Sequence, residues 1–241
     1  MTRIVTWPYC LLSPRQYAVN LTPFTRSGGR SLGGIEPVTR TDLGYWRIDY
    51  RDIHMSVRNR EKWQWWSAIR STLSGRAGLV VVRAPSGLIA PFSSNSFEGE
   101  ILTPHSDGAS FSDGSLYSQS PVSLQVEESA EIGDTVLRVR LIAGRPSLFG
   151  IRFSYKHALY ETGFGDDPVG AVWDLQISPS LVAPIPAGEV LNTTQPTCLC
   201  HLAEDNGMDI DVNRVEKFMS ASVSFVQATD YWNALALGEP V

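Results

Sequence analysis

Cysteine and long hydrophobic runs are scarce in this chain of 241 residues. Its three cysteines, Cys10, Cys198 and Cys200, cannot all pair, and so few do not form the disulfide framework of a small secreted domain. We expect reduced, buried thiols. No stretch reaches the roughly 18 apolar residues of a membrane-spanning helix, and the amino-terminal residues lack the apolar segment of a signal peptide. The sequence predicts a soluble protein made in the cytoplasm, without membrane association.

Recognised catalytic motifs are also missing. The four histidines do not lie in a His-Glu-x-x-His or nucleophile-elbow context, and no Walker-type lysine motif occurs. The acid pairs Glu127-Glu128 and Asp166-Asp167 are more typical of solvated turns than of catalytic carboxylates. We therefore expect no enzymatic activity. A cell-wall hydrolase stays an alternative, because its two carboxylates can be distant in the sequence.

Residues 207–213 contain the alternating carboxylates with which a calcium loop begins. Asp209, Asp211 and Asn213 fit its first, third and fifth positions, but Arg214 stands where glycine is required and Ser220 where glutamate is required. Apolar residues alternate with the polar ones, which favours a half-buried strand or the entrance to a strand over a metal site. The pattern does not predict a calcium site.

Cys198, Cys200 and His201 are the other group of metal-ligating residue types. A structural zinc site needs about four converging ligands, and the sequence contains no second cysteine pair. Buried thiols explain this segment better. We expect no metal and no cofactor.

Charge is distributed unevenly along the chain. Residues 1–85 carry 13 arginines or lysines against 5 acids, whereas residues 86–241 carry 7 against 20. Such asymmetry occurs in nucleic-acid-binding proteins, and it equally suits head-to-tail contact between copies. The basic residues are spread out rather than clustered, which favours contact between copies.

The first third of the chain predicts a strand, a helix and a second strand. Trp46, Ile48 and Tyr50 alternate with polar residues over 35–50, as in a half-buried strand. The apolar, β-branched run within "GLVVVR" (78–83) predicts a strand buried on both faces.

Between these strands, residues 60–74 have the spacing of an amphipathic helix. Asn59 can cap its first turn, and Gly75 follows its last residue. The apolar stripe comprises Trp63, Trp66, Ile69 and Leu73. Trp65 lies at the edge of this stripe, where it either widens the core face or anchors a neighbouring subunit.

The remainder of the chain predicts β structure around a polar segment. Residues 93–120 are rich in serine and predict a long loop or two weak hairpins. Strand patterns resume at residue 122, with a hairpin that turns at Ile132-Gly133-Asp134.

The predicted fold is therefore mainly β, of β-sandwich or split-barrel type, with one flanking helix at about 60–74 and a second β region. We expect a first domain of residues 1–84 completed by about 215–241. A serine-rich loop at 85–121 and the second β region at 122–214 follow.

Several segments resemble a family of tail proteins from tailed bacteriophages and prophages. The similarity lies in "GIRFSYKHALYETG" (150–163), the stretch 171–191, "QPTCLCHLAEDNGMDID" (195–211) and "SASVSFVQA" (220–228). The front half is similar too, with a tryptophan-bearing strand, a helix that ends in the element "LSGRAG" (73–78) and an apolar strand. The resemblance covers roughly two thirds of the chain and consists of sequence phrases rather than a catalytic signature.

This resemblance implies a structural protein of the virion tail tip. Such minor or distal tail proteins form rings, often hexamers, that connect the tail tube to the baseplate hub, with DNA as passing cargo. The implied partners are other copies of the chain, the tail tube protein and hub or other baseplate proteins. We take Arg58, Arg60, Trp65 and Arg70 as candidate interface residues. A carbohydrate- or receptor-binding β-sandwich module of the same tail tip is the alternative.

Overall fold

The structure is a computed structural model that describes residues 4–30, 32–34, 36, 38–86, 102–103, 117–118, 122–144, 148–165, 170–210 and 218–239. In chain order, its elements are β1 (Ile4–Thr6), β2 (Pro14–Ser27), β3 (Val38–Ser56), α1 (Arg60–Leu73), β4 (Leu79–Arg83), β5 (Leu102–Thr103), β6 (Tyr117–Ser118), β7 (Val122–Val126), β8 (Val136–Gly144), β9 (Arg152–Tyr155), β10 (Ala158–Gly165), β11 (Val172–Ser178), β12 (Val190–Leu191), β13 (Thr197–Leu202), β14 (Phe218–Gln227) and α2 (Thr229–Ala236). The predicted fold class, mainly β with a flanking helix, is confirmed.

The chain divides into two compact units. The first unit consists of residues 1–84 and 197–241, and the second consists of residues 85–196. The serine-rich segment belongs to the second unit. Within this segment, the structure describes residues 85–86 and the short antiparallel pair β5–β6. The rest of the predicted loop at 93–120 lies outside the described residues.

The first unit contains a sheet with the strand order β1-β4-β13-β14-β3-β2. Strand β3 follows the predicted alternation, and its inward side chains Trp46, Ile48 and Tyr50 are buried. It extends to Ser56 through a bulge opposite Ala221 and Val223. Strand β4 is buried on both faces, as its continuous apolar run predicts.

Helix α1 begins and ends where its sequence signals predict. The side-chain oxygen of Asn59 accepts the backbone N–H of Lys62 at 3.2 Å. At the other end, Ser74 adopts φ +48° and Gly75 φ +75°, so two left-handed residues stop the helix. The buried residues are Trp66, Ile69 and Leu73.

An aromatic cluster forms the core beneath α1. The ring of Trp7 meets Trp66 edge-on at 5.9 Å and Phe225 at 5.3 Å, and Tyr50 packs against both Trp7 and Phe225. Rings in this edge-to-face geometry stabilise a core beyond the apolar area that they bury. Strand β14 therefore packs against Trp7 of the amino-terminal segment, in addition to pairing with β3.

Strand β13 lies in the first sheet, where it pairs with β4 and β14. The prediction that the second β region extends over 122–214 is wrong at this strand. The segment is apolar on both faces, with Cys198, Leu199 and Cys200 buried, and such a run does not specify which sheet it joins.

Two further predictions need correction. The chain has a second helix, α2, whose eight residues include a single buried residue, Trp232; a helix this short leaves almost no periodic signal. Cys198 and Cys200 are buried as expected, but Cys10 is exposed in the turn that follows Trp7, so the expectation of three buried thiols is wrong.

The second unit contains a sheet with the order β12-β7-β8-β11-β10-β9. An isolated antiparallel bridge between Ser154 and Asn192 brings β9 back to the segment that follows β12, so the sheet closes on itself. The predicted hairpin of β7 and β8 is confirmed, and Gly133 in its turn has φ +95°. The interior side chains include Leu124, Leu137, Val139, Phe153 and Leu175.

Candidate assembly surfaces

Charge is divided between the two units. The first unit holds fifteen arginines or lysines against twelve acids, and the second holds five against thirteen. The first unit is thus weakly positive and the second strongly negative. The first unit is less positive than residues 1–85 alone, because it also contains the acidic residues that follow β13.

The four interface candidates do not form one patch. Five residues correspond to about 140° of rotation around a helix, so Arg60, Trp65 and Arg70 point away from the axis of α1 in three directions. Arg58 precedes the helix, in the turn that joins it to β3. Each candidate therefore needs its own description.

Arg70 is engaged within its own unit. Its guanidinium lies 3.3 Å from a carboxylate oxygen of Asp209. The same loop accepts the indole N–H of Trp66 at the carbonyl oxygen of Met208, 2.9 Å away, and Asp205 accepts the backbone N–H of Arg76 at 3.0 Å. Arg70 thus holds the β13–β14 loop against α1.

Trp65 projects into solvent with 45% of its surface exposed. The interpretation that Trp65 widens the apolar face of α1 towards the core is therefore wrong. An exposed tryptophan is a frequent anchor of protein interfaces, so the expectation of an interface role stays a prediction.

Arg58 and Arg60 lie on a surface that we term the basic corner, which comprises His54, Val57, Arg58, Arg60 and Phe218. Val57 is 51% exposed and Phe218 is 58% exposed. Phe218 pairs with Ser56 in the sheet, and its ring lies 4.9 Å from that of His54. The corner therefore combines exposed apolar groups with two arginines.

Hydrogen bonds order the backbone around the basic corner. The carbonyl oxygen of Ser56 accepts the backbone N–H of Asn59 and the indole N–H of Trp63, both at 3.0 Å. The ammonium group of Lys62 donates to the carbonyl oxygen of His54 at 2.9 Å. A backbone that is already ordered loses little further entropy when a partner binds.

A surface of opposite charge lies at the turn between β7 and β8. We term it the acidic tip, and it comprises Glu128, Glu131, Ile132 and Asp134. Ile132 is 48% exposed at its centre. Asp134 accepts the backbone N–H of Glu131 at 2.8 Å, and Gly133 donates to the carbonyl oxygen of Leu181 at 2.8 Å. The tip is an ordered acidic turn around an exposed apolar side chain.

Two phenylalanines form an exposed pair elsewhere on the second unit. The ring centroids of Phe149 and Phe164 lie 6.1 Å apart, and Phe164 is 83% exposed. Glycine at positions 163 and 165 leaves this ring without bulky neighbours along its strand. Exposed rings of this kind bind apolar faces of ligands or proteins.

The candidate metal ligands do not converge. No group of three or more metal-ligating side chains occurs in the described part of the chain. Burial raises the pKa of the Cys200 thiol well above its usual value. The ring of His201 points elsewhere, with Nδ1 2.9 Å from the carbonyl oxygen of Gly78 and Nε2 2.9 Å from Asp230.

The strand predicted at 207–213 does not form over residues 207–210. Residues 207 and 208 end a turn, and residues 209 and 210 have no regular secondary structure. Gly207 donates to the carbonyl oxygen of Glu204, and Asp209 donates to that of Asn206. Met208 is buried and Asp209 exposed, which accounts for the alternation without a strand. Asp211 and Asn213 lie outside the described residues.

Comparison with known proteins adds no family to this description. No protein-family model matches the chain, and no curated protein sequence matches it.

Proposed function

We propose that this protein is a structural component of a bacteriophage tail tip, a ring-forming minor or distal tail protein that connects the tail tube to the baseplate hub. The proposal rests on the resemblance of its sequence segments to that family. It assigns the chain to the virion, with itself, the tail tube protein and hub or other baseplate proteins as partners. DNA passes the protein without being its ligand, and the role is structural rather than enzymatic.

One structural observation supports ring formation most directly. The two units of the chain carry opposite net charge, and each presents an ordered surface with exposed apolar groups. A closed ring of identical subunits needs two different surfaces that fit each other. Opposite charges orient the subunits and suppress contacts between like surfaces.

Electron microscopy of the purified protein, together with light scattering, tests this proposal. The expected result is rings whose mass is a multiple of the 26.5 kDa chain. A protein that stays monomeric at high concentration and low salt, and that does not bind tail tube or hub proteins, would contradict it.

A receptor- or carbohydrate-binding module of the tail tip is the second candidate, favoured by the exposed Phe149–Phe164 pair. Aromatic faces stack on apolar faces of ligands, including sugar rings. Binding of purified protein to host cell-wall polysaccharide, lost in Phe149→Ala/Phe164→Ala and kept in Phe24→Ala, would favour this function. Equal binding by all three proteins would exclude the pair as its site.

Neither helix in the described ranges is long and apolar enough to cross a bilayer.

A further inference from the structure

We propose that the basic corner of one copy binds the acidic tip of a second copy. This inference rests on the proposed function, since it specifies the contact through which the ring forms. Of the four candidate interface residues, Arg58 and Arg60 belong to the corner.

The basic corner has the composition of an interface centre with a charged rim. Val57 and Phe218 supply apolar area, and the exposed Arg58 and Arg60 closely follow Val57 in the chain. Arginine is favoured in interfaces because its guanidinium binds carboxylates through paired hydrogen bonds. Neither Arg58 nor Arg60 forms a side-chain ion pair with another residue in the described ranges, so both are available to carboxylates of a partner.

The acidic tip offers the matching composition. Ile132 supplies apolar area, and the exposed Glu131 and Asp134 belong to the same turn. Glu128 lies 3.4 Å from Arg138, which also contacts Asp174, whereas Glu131 and Asp134 have no ion pair within the part of the chain that the structure describes. The acidic tip and the basic corner thus each combine exposed apolar groups with charged residues, and their charges are opposite.

The contact is heterologous, because the two surfaces differ and belong to different units of the chain. A second copy is the occupant that this charge complementarity favours: every subunit presents both surfaces, so each one can bind the next. Contacts of this kind produce a closed ring when the rotation between subunits closes.

Charge reversal provides the test. Arg58→Glu/Arg60→Glu reverses the corner, and Glu128→Lys/Glu131→Lys reverses the tip. We expect each double variant to be monomeric at concentrations at which the wild type forms rings, because like charges then face each other. The variant with all four substitutions restores opposite charges in the swapped arrangement, and we expect it to regain assembly.

The control is Arg30→Glu/Arg76→Glu, which changes net charge by the same amount as the corner variant. Both residues are exposed, and Arg76 lies beyond the far end of α1, roughly 20 Å from its start. This control should assemble like the wild type. Thermal unfolding of every variant excludes loss of fold as the cause of a change in mass.

The outcomes separate the contact from the function. Rings that persist in both double variants would overturn the proposed contact and leave the ring-forming function standing. If the variant with all four substitutions is folded but stays monomeric, that result would also overturn the proposed contact. A wild type that never assembles, alone or with tail partners, would overturn the proposed function itself.

Discussion

Gly78 lies so close to Leu73 that a Cβ at position 78 would stand 2.4 Å from the Leu73 Cα and 2.5 Å from its carbonyl oxygen. The atoms that it would meet belong to the backbone at the end of α1, which cannot move without displacing the buried Leu73 side chain. Only glycine fits between the helix and β4.

Replacing this glycine should therefore destabilise the first unit. We expect Gly78→Ala to lower the free energy of unfolding by about 2–3 kcal/mol, the usual effect of forcing atoms into a packed site. Urea denaturation measures it. Gly163→Ala is the control, because its Cβ would lie at an ordinary 3.4 Å from Gln176. Equal stability of the two variants would contradict the packing described here.

The adjacent residues Trp65 and Trp66 should differ sharply. Trp66 is buried and donates its indole N–H to Met208, so Trp66→Ala should cost about 3–5 kcal/mol. Trp65→Ala should cost about 1 kcal/mol or less, because the side chain is half exposed. Similar losses in urea denaturation would show that α1 is rotated from the orientation in this structure.

Thiol labelling should separate the cysteines. Cys10 is exposed, whereas Cys198 and Cys200 are buried, and burial raises the pKa of the Cys200 thiol. A thiol reagent should modify one cysteine of the folded protein rapidly and the other two only on unfolding. Cys10→Ser should abolish the rapid phase. A second rapidly labelled thiol in the folded protein would argue against the burial of β13.

His157 should contribute to the pH dependence of stability. Its backbone has φ +72° at the tip of the β9–β10 hairpin, where the residue is exposed to solvent, and partial desolvation of the imidazole lowers its pKa. A group whose pKa is lower in the folded state stabilises the fold fully above its unfolded value, about 6.5 for histidine. This stability is lost as the pH falls, because the unfolded chain then takes up the proton more readily.

His157→Gln should therefore remove part of the decline in stability below about pH 6.5. Chemical denaturation at a series of pH values between neutral and mildly acidic compares the two proteins. Superimposable curves for the variant and the wild type would show that this imidazole is solvated in the folded protein.

Local patterns predicted the elements whose signals are complete within a short window. The alternation around Trp46 predicted β3, and the cap at Asn59 with the apolar stripe predicted α1. Strand β13 was assigned to the wrong β region, because its partners β4 and β14 are distant in the chain. An apolar run predicts that a strand is buried, but it does not predict which strands lie on either side of it.

The candidate surfaces were only partly predictable. Arg58 and Arg60 were selected from the sequence, but Val57 and Phe218 look like ordinary core residues until pairing brings the start of β14 beside the end of β3. Arg70 resembled an interface residue because its partner Asp209 lies in a distant loop. The acidic tip had one sequence signal, its turn at Ile132-Gly133-Asp134, which was interpreted only as a hairpin.

Mixing the two charge-reversed proteins tests the head-to-tail contact most directly. The corner variant retains an intact tip, and the tip variant retains an intact corner. An equimolar mixture therefore has opposite charges at both contacts between the two proteins, one in the original and one in the swapped arrangement. Sedimentation velocity should show each protein alone as a monomer and the mixture as assemblies larger than a monomer, which dissociate as salt is raised. A mixture that remains monomeric would contradict head-to-tail assembly through these two surfaces.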